Sequence, residues 1–243
     1  MVAEPTTPHR QTLTAVRVTV WGGVLVIGGI LLAIALYGGW FGGEPATRKF
    51  SIFCDYLSML GRTRNYDNRS NLAASLVFNA ALVGTGMLYA VFWPGRGRFI
   101  PDDRIRKTVM WCGFGMAAGL ASLGLAPENL FPRLHPLLTV PPVMFGTAAT
   151  LLCMFKTAPG FDNPRVVRWT MAAFGLAVVV ASVLRLLVAL NRIDHRPALP
   201  IMQKVLIVMI VAWTFRQAWL MRQALLAGAD QSAPHGRART GMD

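Results

Sequence analysis

The sequence predicts an all-α protein, a polytopic integral membrane bundle of six transmembrane helices. Three observations carry this. Of the 243 residues, 54% are hydrophobic and 14% charged, whereas an ordinary soluble domain has about 25% charged residues. Several stretches of roughly 20 or more residues carry no charge, and about 20 apolar helical residues cross the hydrocarbon core of a bilayer. Most of the charges fall between those stretches, as loops between spans require.

The uncharged runs place the elements in order. Residues 1–15 form a short leading segment. The first span covers about Val16 to Trp40; it is too long for a removable signal peptide, and no convincing cleavage site follows it. The second covers 71–94, ending where Phe92 and Trp93 meet the helix-stopping Pro94. The third and fourth cover 108–127 and 134–155. Pro141 and Pro142 in the fourth predict a kink, because prolines free carbonyls in the preceding turn. The fifth, 166–191, is interrupted by Arg185, and the sixth, 198–221, contains Lys204 and Arg216. Residues 222–243 read as a polar, disordered tail. Gly115 and Gly119 form a GxxxG in the third helix, and Gly22, Gly23, Gly28 and Gly29 thin the first, so close backbone approach is expected at both.

Lys and Arg total 24 against 11 acids, a net charge of +13. Fourteen of the 24 lie beside the termini: Arg10, Arg17, Arg96, Arg98, Arg104, Arg106, Lys107, Lys156, Arg165, Arg168, Arg216, Arg222, Arg237 and Arg239. Eight lie opposite: Arg48, Lys49, Arg62, Arg64, Arg69, Arg133, Arg192 and Arg196. The richer side faces the cytoplasm, so both termini are expected there. These charges read as topology determinants and anionic-lipid contacts rather than a nucleic-acid surface. The location implied is a cell membrane, the bacterial cytoplasmic (inner) membrane.

The longest connection, roughly 41–70, is expected outside. Phe50, Phe53, Leu57 and Leu60 recur at i, i+3, i+7 and i+10, which predicts a short amphipathic helix docked on the outer mouth, with Asp55 and Ser58 on its polar face. Gly61 would stop that helix, and Arg62 to Arg69 reads as a polar, turn-rich link. Polar residues within spans are costly and expect partners. In the second helix Asn71, Ser75, Asn79 and Gly86 fall near one face; in the fourth, His135, Thr139, Gly146, Thr150 and Cys153 do. Asp55, Ser58, Asn79, His135, Arg185, Gln203 and Lys204 all fall toward the outer side. Asn79, His135, Arg185, Gln203 and Lys204 are the candidate ligand contacts. The alternative for Arg185 and Lys204 is snorkelling to headgroups on their long stems.

The run from Phe50 to Gly61, the Phe78-Asn79 pair, the stretch from Gly124 through Pro127 and Pro132 to His135, and Gln203-Lys204 with Trp213 together resemble an uncharacterised six-helix membrane family, domain of unknown function family 998. The similarity extends to about Leu220, and the family is distantly similar to Frag, DRAM and Sfk-type proteins, which implies a tie to lipid handling. The chain departs from the family at Lys204, where the family usually has Arg, which alone makes a bidentate fork to phosphate or carboxylate.

Three classes of function follow. The first is binding or handling of a lipid or amphiphile through a polar site in the outer leaflet half. The second is an intramembrane hydrolase acting on a lipid headgroup, with His135 as base and Asp55 or Ser58 as partner. The third is a structural subunit of a membrane complex, with other membrane subunits as partners. No cofactor is expected. Cys54, Cys112 and Cys153 are too scattered for a disulfide framework or a CxxC site, and Cys112 and Cys153 read as packing residues. Without an HxxxH a three-histidine zinc site is excluded, leaving only a mixed set of Asp55, His135 and His195. The topology is checked with reporter fusions: a fusion after Ala227 reports a cytoplasmic location and one within Arg62 to Arg69 an external one. An external signal from the tail fusion overturns the orientation.

Overall fold

The structure is a computed structural model, and it describes residues 7–37, 49–65, 68–157, 161–190 and 198–231. Its helices are α1 (Thr7–Leu36), α2 (Leu72–Gly97), α3 (Asp103–Leu125), α4 (Leu134–Leu138), α5 (Val140–Lys156), α6 (Pro164–Ala189) and α7 (Ala198–Gln231). Among the described residues, with α4 and α5 counted as one broken span, six helical segments are long and apolar enough to cross a membrane. α2 packs between α1 and α3, α3 packs on α5, and α7 lies against α1 and α6. The start of α1 meets the end of α2, where a Cβ on Gly95 would come within 2.3 Å of the Ala15 Cβ. The end of α2 in turn meets the C-terminal half of α7 through Arg96 and Gln217. This is the termini end of the bundle; the connection before α2 lies at the other, the loop end.

Apolar side chains cluster at both ends. At the termini end Phe92, Trp93, Val109, Cys153, Trp213 and Met221 form one core, with the Phe92 and Trp93 rings 5.0 Å apart and edge-on. At the loop end Ala33, Leu57, Leu60, Ala74 and Phe78 form another. In lipid the alternative to these contacts is equally apolar, so close fit rather than water exclusion must hold such helices together. Small residues supply that fit. Gly115 faces Phe145 and Gly119 faces Pro142, which seats α3 on α5. Gly29 faces Ala81, and Gly23 faces Phe215. Cys153 is buried in the core, and Cys112 packs against it.

Several expected boundaries move, each for a physical reason. α2 runs through Pro94 to Gly97. Proline costs one ladder bond, but Trp93, Gly95, Arg96 and Gly97 are all buried and packing holds the last turn. α1 and α3 begin earlier than the apolar runs, at Thr7 and Asp103. The Asp102 carboxylate caps α3, accepting from the Arg104 and Ile105 amides at 2.9 and 3.0 Å. α7 continues to Gln231, ten residues beyond its expected end, since the Ala, Leu and Gln that follow Arg222 are strong helix formers even without lipid. The double-proline kink is realised as a break: α4 ends, Thr139 donates through Oγ1 to the Pro136 carbonyl at 2.6 Å, and Pro141 and Pro142 sit in the first turn of α5.

The amphipathic helix expected over Phe50 to Leu60 does not form. The Asp55 amide reaches the Ser51 carbonyl at 3.0 Å. The Asp55 carboxylate accepts from the Ser51 amide at 2.8 Å, and the Ser51 hydroxyl accepts from the Cys54 amide at 3.2 Å. These local bonds draw the backbone into a turn. Tyr56 then adopts an extended conformation, and only Leu57–Gly61 coils, as a 3-10 helix. Phe53 is exposed and Leu57 buried, so the anticipated single stripe is split. Past Arg62, Arg64 and Ser70 pair in an antiparallel bridge, and Asn68 stands at φ 58 in the left-handed region that Asn tolerates. Arg48, Arg192, His195, Arg196, residues 38–40 of the expected first span, and the tail beyond Gln231 lie outside the described residues.

The packing generates a contrast between two glycines. A Cβ on Gly86 would lie 2.6 Å from the Ala117 carbonyl oxygen and 3.0 Å from the Ala121 amide, and backbone cannot yield as a side chain does. Gly28 has nothing within 4 Å. Thermal melting in detergent therefore shows Gly86→Ala destabilised by about 1–3 kcal/mol, and Gly28→Ala unchanged or slightly stabilised.

Candidate functional site

At the loop end, polar side chains from α2 and α7 converge on the non-helical segment 51–62. Asn71, buried at the start of α2, donates through Nδ2 to the Leu60 and Arg62 carbonyls at 3.3 and 2.8 Å. One turn on, the Ser75 hydroxyl donates to the Gly61 carbonyl at 2.8 Å, and Asn79 Nδ2 donates to the same carbonyl at 3.0 Å and to Ser75 Oγ at 3.1 Å. A Cβ on Gly61 would lie 2.7 Å from Asn79 Oδ1 and 3.1 Å from the Phe78 ring, so a larger residue there must displace the Asn79 side chain. From α7, Gln203 Oε1 accepts from the Leu57 amide at 2.9 Å. Lys204 Nζ donates to the Asp55 carbonyl at 2.6 Å and to the Pro200 carbonyl at 3.1 Å, and lies 5.9 Å from the centre of the Phe50 ring.

The connection after α3 closes the cluster. Glu128 pairs with Arg62 at 3.3 Å and accepts from the Ser58 hydroxyl at 3.3 Å. Asn129 clamps Thr63 by two bonds, accepting from its amide at 2.9 Å and donating to its hydroxyl at 2.8 Å. His135 is buried, with Nδ1 2.7 Å from the Ala126 carbonyl. A carbonyl only accepts, so Nδ1 carries the proton and the imidazole ties down the end of α3.

The structure thus brings Asn79, Gln203 and Lys204 onto the segment that carries Asp55 and Ser58, and Ser58 and Arg62 join that segment to Glu128. His135 hydrogen-bonds to none of them. Ser58 donates to Glu128 and His135 to Ala126, so the hydroxyl and the base that a hydrolytic pair needs are not joined. The Arg185 side chain lies outside the described residues, although its backbone belongs to α6. Among the described residues no group of three or more His, Cys, Asp or Glu could hold a metal ion. Glu128, Asn129 and Arg62 were not anticipated as partners of Ser58 and Thr63. The sequence signal was present in that Glu128 and Asn129 are the acidic and amide residues of a connection otherwise made of apolar residues, prolines and Arg133.

Two clefts lie elsewhere. One runs among α1, α2 and α7, lined by Val18, Val26, Leu88, Phe92, Val211 and Phe215 among others, with about 340 Å³ of atom-free space counted to its open side. Its hydroxyls are satisfied: Thr19, Thr85 and Thr214 donate to carbonyls one turn earlier, and Thr214 also pairs with Tyr89 at 3.0 Å. The other cleft, at the termini end, surrounds Arg96 and Arg216. Arg96 reads from sequence as a topology charge in the loop after the second span. It is buried because α2 outruns Pro94 and carries it inside.

If Gln203 and Lys204 hold the loop, Gln203→Ala with Lys204→Met frees a buried amide and a carbonyl, a loss of about 1–3 kcal/mol. Half-buried Cys54, between Ser51 and Asp55 in that loop, then reacts with a maleimide about 5- to 100-fold faster if labelling follows local opening, while melting of the helical bundle changes little. An unchanged labelling rate removes this role. No family model, no curated protein and no solved structure matches this chain.

Proposed function

We propose that this chain is a multi-pass cell-membrane protein, with both termini cytoplasmic, that binds and handles a lipid or another amphiphile. The observation that carries this reading is the alignment of a cation and an apolar cleft on one face of α7. Lys204, Val211 and Phe215 are spaced i, i+7 and i+11, which puts them on one side of a helix. Lys204 stands about 10 Å along the axis from Val211, at 1.5 Å per residue. The ammonium has three donors and uses two on the Asp55 and Pro200 carbonyls, leaving one for a headgroup oxygen. From that position an acyl tail runs down α7 into the cleft whose walls include Val211 and Phe215. Because the cleft's hydroxyls are already satisfied, it offers a tail apolar surface without stranded polar groups.

In this reading the segment held by Asn79, Gln203 and Lys204 covers the outer end of the bundle. The exposed Ile52 and Phe53 on it face the lipid. The orientation rests on the excess of Lys and Arg beside the termini, and the lipid reading is supported by the resemblance to an uncharacterised six-helix family that is itself distantly similar to lipid-handling Frag, DRAM and Sfk-type proteins. A single Lys donor gives weak selectivity among headgroups, and a tail in the bilayer is already out of water, so affinity must come mainly from close fit of the tail in the cleft.

Native mass spectrometry of the purified protein tests the reading. The wild type retains one lipid-sized adduct after delipidation. Gly22→Leu projects a side chain into the cleft beside Leu88, whose flexible end lies 3.3 Å from a Cβ at Gly22, and reduces the bound fraction several-fold. A wild type with no adduct, or equal retention by the variant, ends the proposal.

A further inference from the structure

At the termini end, Arg96 is 2% exposed. Nε donates to Gln217 Oε1 at 2.7 Å and Nη2 to Thr157 Oγ1 at 2.5 Å. One face of the guanidinium lies 4.7 Å from the centre of the Phe161 ring. Nη1 has no hydrogen-bond partner, although it is buried. Arg96 lines a cleft shared with Thr157, Thr170, Trp213, Arg216 and Gln217, containing about 310 Å³ of atom-free space counted to its mouth.

The charges around it do not cancel. Arg216 is paired with Asp162 through both Nε and Nη2. Among the described residues Asp162 is the one acid lining the cleft and Arg96 and Arg216 are its two cations, so one positive charge remains among them. Gln217 and Thr157 fix two edges of the guanidinium and Phe161 covers a face, so the free nitrogen is held in one direction. A rigid, buried cation with one unused donor is arranged for an anionic oxygen, because a guanidinium cannot release its proton to become neutral.

We propose that this cleft binds a phosphate group, one oxygen of which accepts from Arg96 Nη1 while another reaches the Arg216 edge or the Thr170 hydroxyl at the mouth. The phosphate is either that of a phospholipid headgroup or a free phosphate ion. The site is separate from the α1, α2 and α7 cleft and does not depend on a tail being bound there. Arg96 lies two residues beyond Pro94 in α2, which ties the subsite to the last turn of that helix.

The test uses the full chain in detergent, with melting followed at constant ionic strength. Two probes are titrated separately, inorganic phosphate against chloride and dioctanoyl phosphatidic acid against dioctanoyl glycerol. A binder of the native state raises the melting temperature in proportion to the logarithm of its concentration over its Kd. A saturable rise with inorganic phosphate identifies the free ion as sufficient; a rise with phosphatidic acid alone identifies the lipid headgroup. Arg96→Lys, which keeps the charge but loses Nη1, weakens the active probe at least tenfold. Val167→Trp, which fills the same cleft from α6 without touching the Arg96 hydrogen bonds, abolishes its effect and covers the case in which Arg96→Lys fails to fold. No rise with either probe, or a folded Arg96→Lys or Val167→Trp that responds as the wild type does, overturns the proposal.

Discussion

Non-helical backbone buried against helix ends is the constraint on which the loop end depends. Helices satisfy their own amides and carbonyls, but the segment from Ser51 to Arg62 has only one turn and a five-residue 3-10 helix. Each unmet buried group there would cost about 1–3 kcal/mol. The carbonyls of Leu60, Gly61 and Arg62 are met by three residues spaced four apart on α2, and the carbonyl of Asp55 and amide of Leu57 by two adjacent residues on α7. α2 and α7 are therefore fixed relative to each other through a segment that belongs to neither. The i, i+4, i+8 repeat of Asn71, Ser75 and Asn79 is the helical period applied to donors rather than to apolar side chains.

How much of this was legible follows from what each signal measures. Span number and order were readable because bilayer thickness imposes a length on uncharged runs. The ends were not, because hydropathy reports where lipid begins and not where helical hydrogen bonding stops. Arg10, Asp103 and Arg222 are all helical yet lie outside the apolar runs. The stripe Phe50, Phe53, Leu57 and Leu60 has helical spacing, but Ser51 and Asp55 bond their own backbone and defeat it, an outcome that periodicity alone does not register. Asn79, Gln203 and Lys204 were singled out as polar residues needing partners, and they have them. Their partners are main-chain groups, which no side-chain pattern reveals.

Lys204 and Arg96 show how the same requirement is met at the two ends. Lys204, placed by sequence between a ligand contact and a snorkelling anchor, donates to two carbonyls and so fixes the loop. A flexible stem with three donors suits that task, since the ammonium can reach the Asp55 carbonyl ahead of the 3-10 helix and the Pro200 carbonyl one turn back on α7 together. Arg in its place would bring a planar fork to a site whose acceptors are two separate carbonyls. The exchange of Lys for the Arg usual in the resembling family is thus compatible with a loop-holding role.

Arg96 meets the opposite condition. It was counted with charges that face water, yet α2 passes Pro94 with its final turn buried, so the guanidinium lies between α2, α7 and the end of α5. Burying a charge is costly unless it is paired, and a neutral Gln and a neutral Thr neutralise nothing. The acid lining the cleft, Asp162, is engaged by Arg216, a residue one position from Gln217 on α7. The two arginines therefore compete for one carboxylate, and the geometry gives it to Arg216. Among the described residues the Nη1 of this buried guanidinium stays unmet, which makes the last turn of α2 the point where helix packing and the charge of the termini end are coupled.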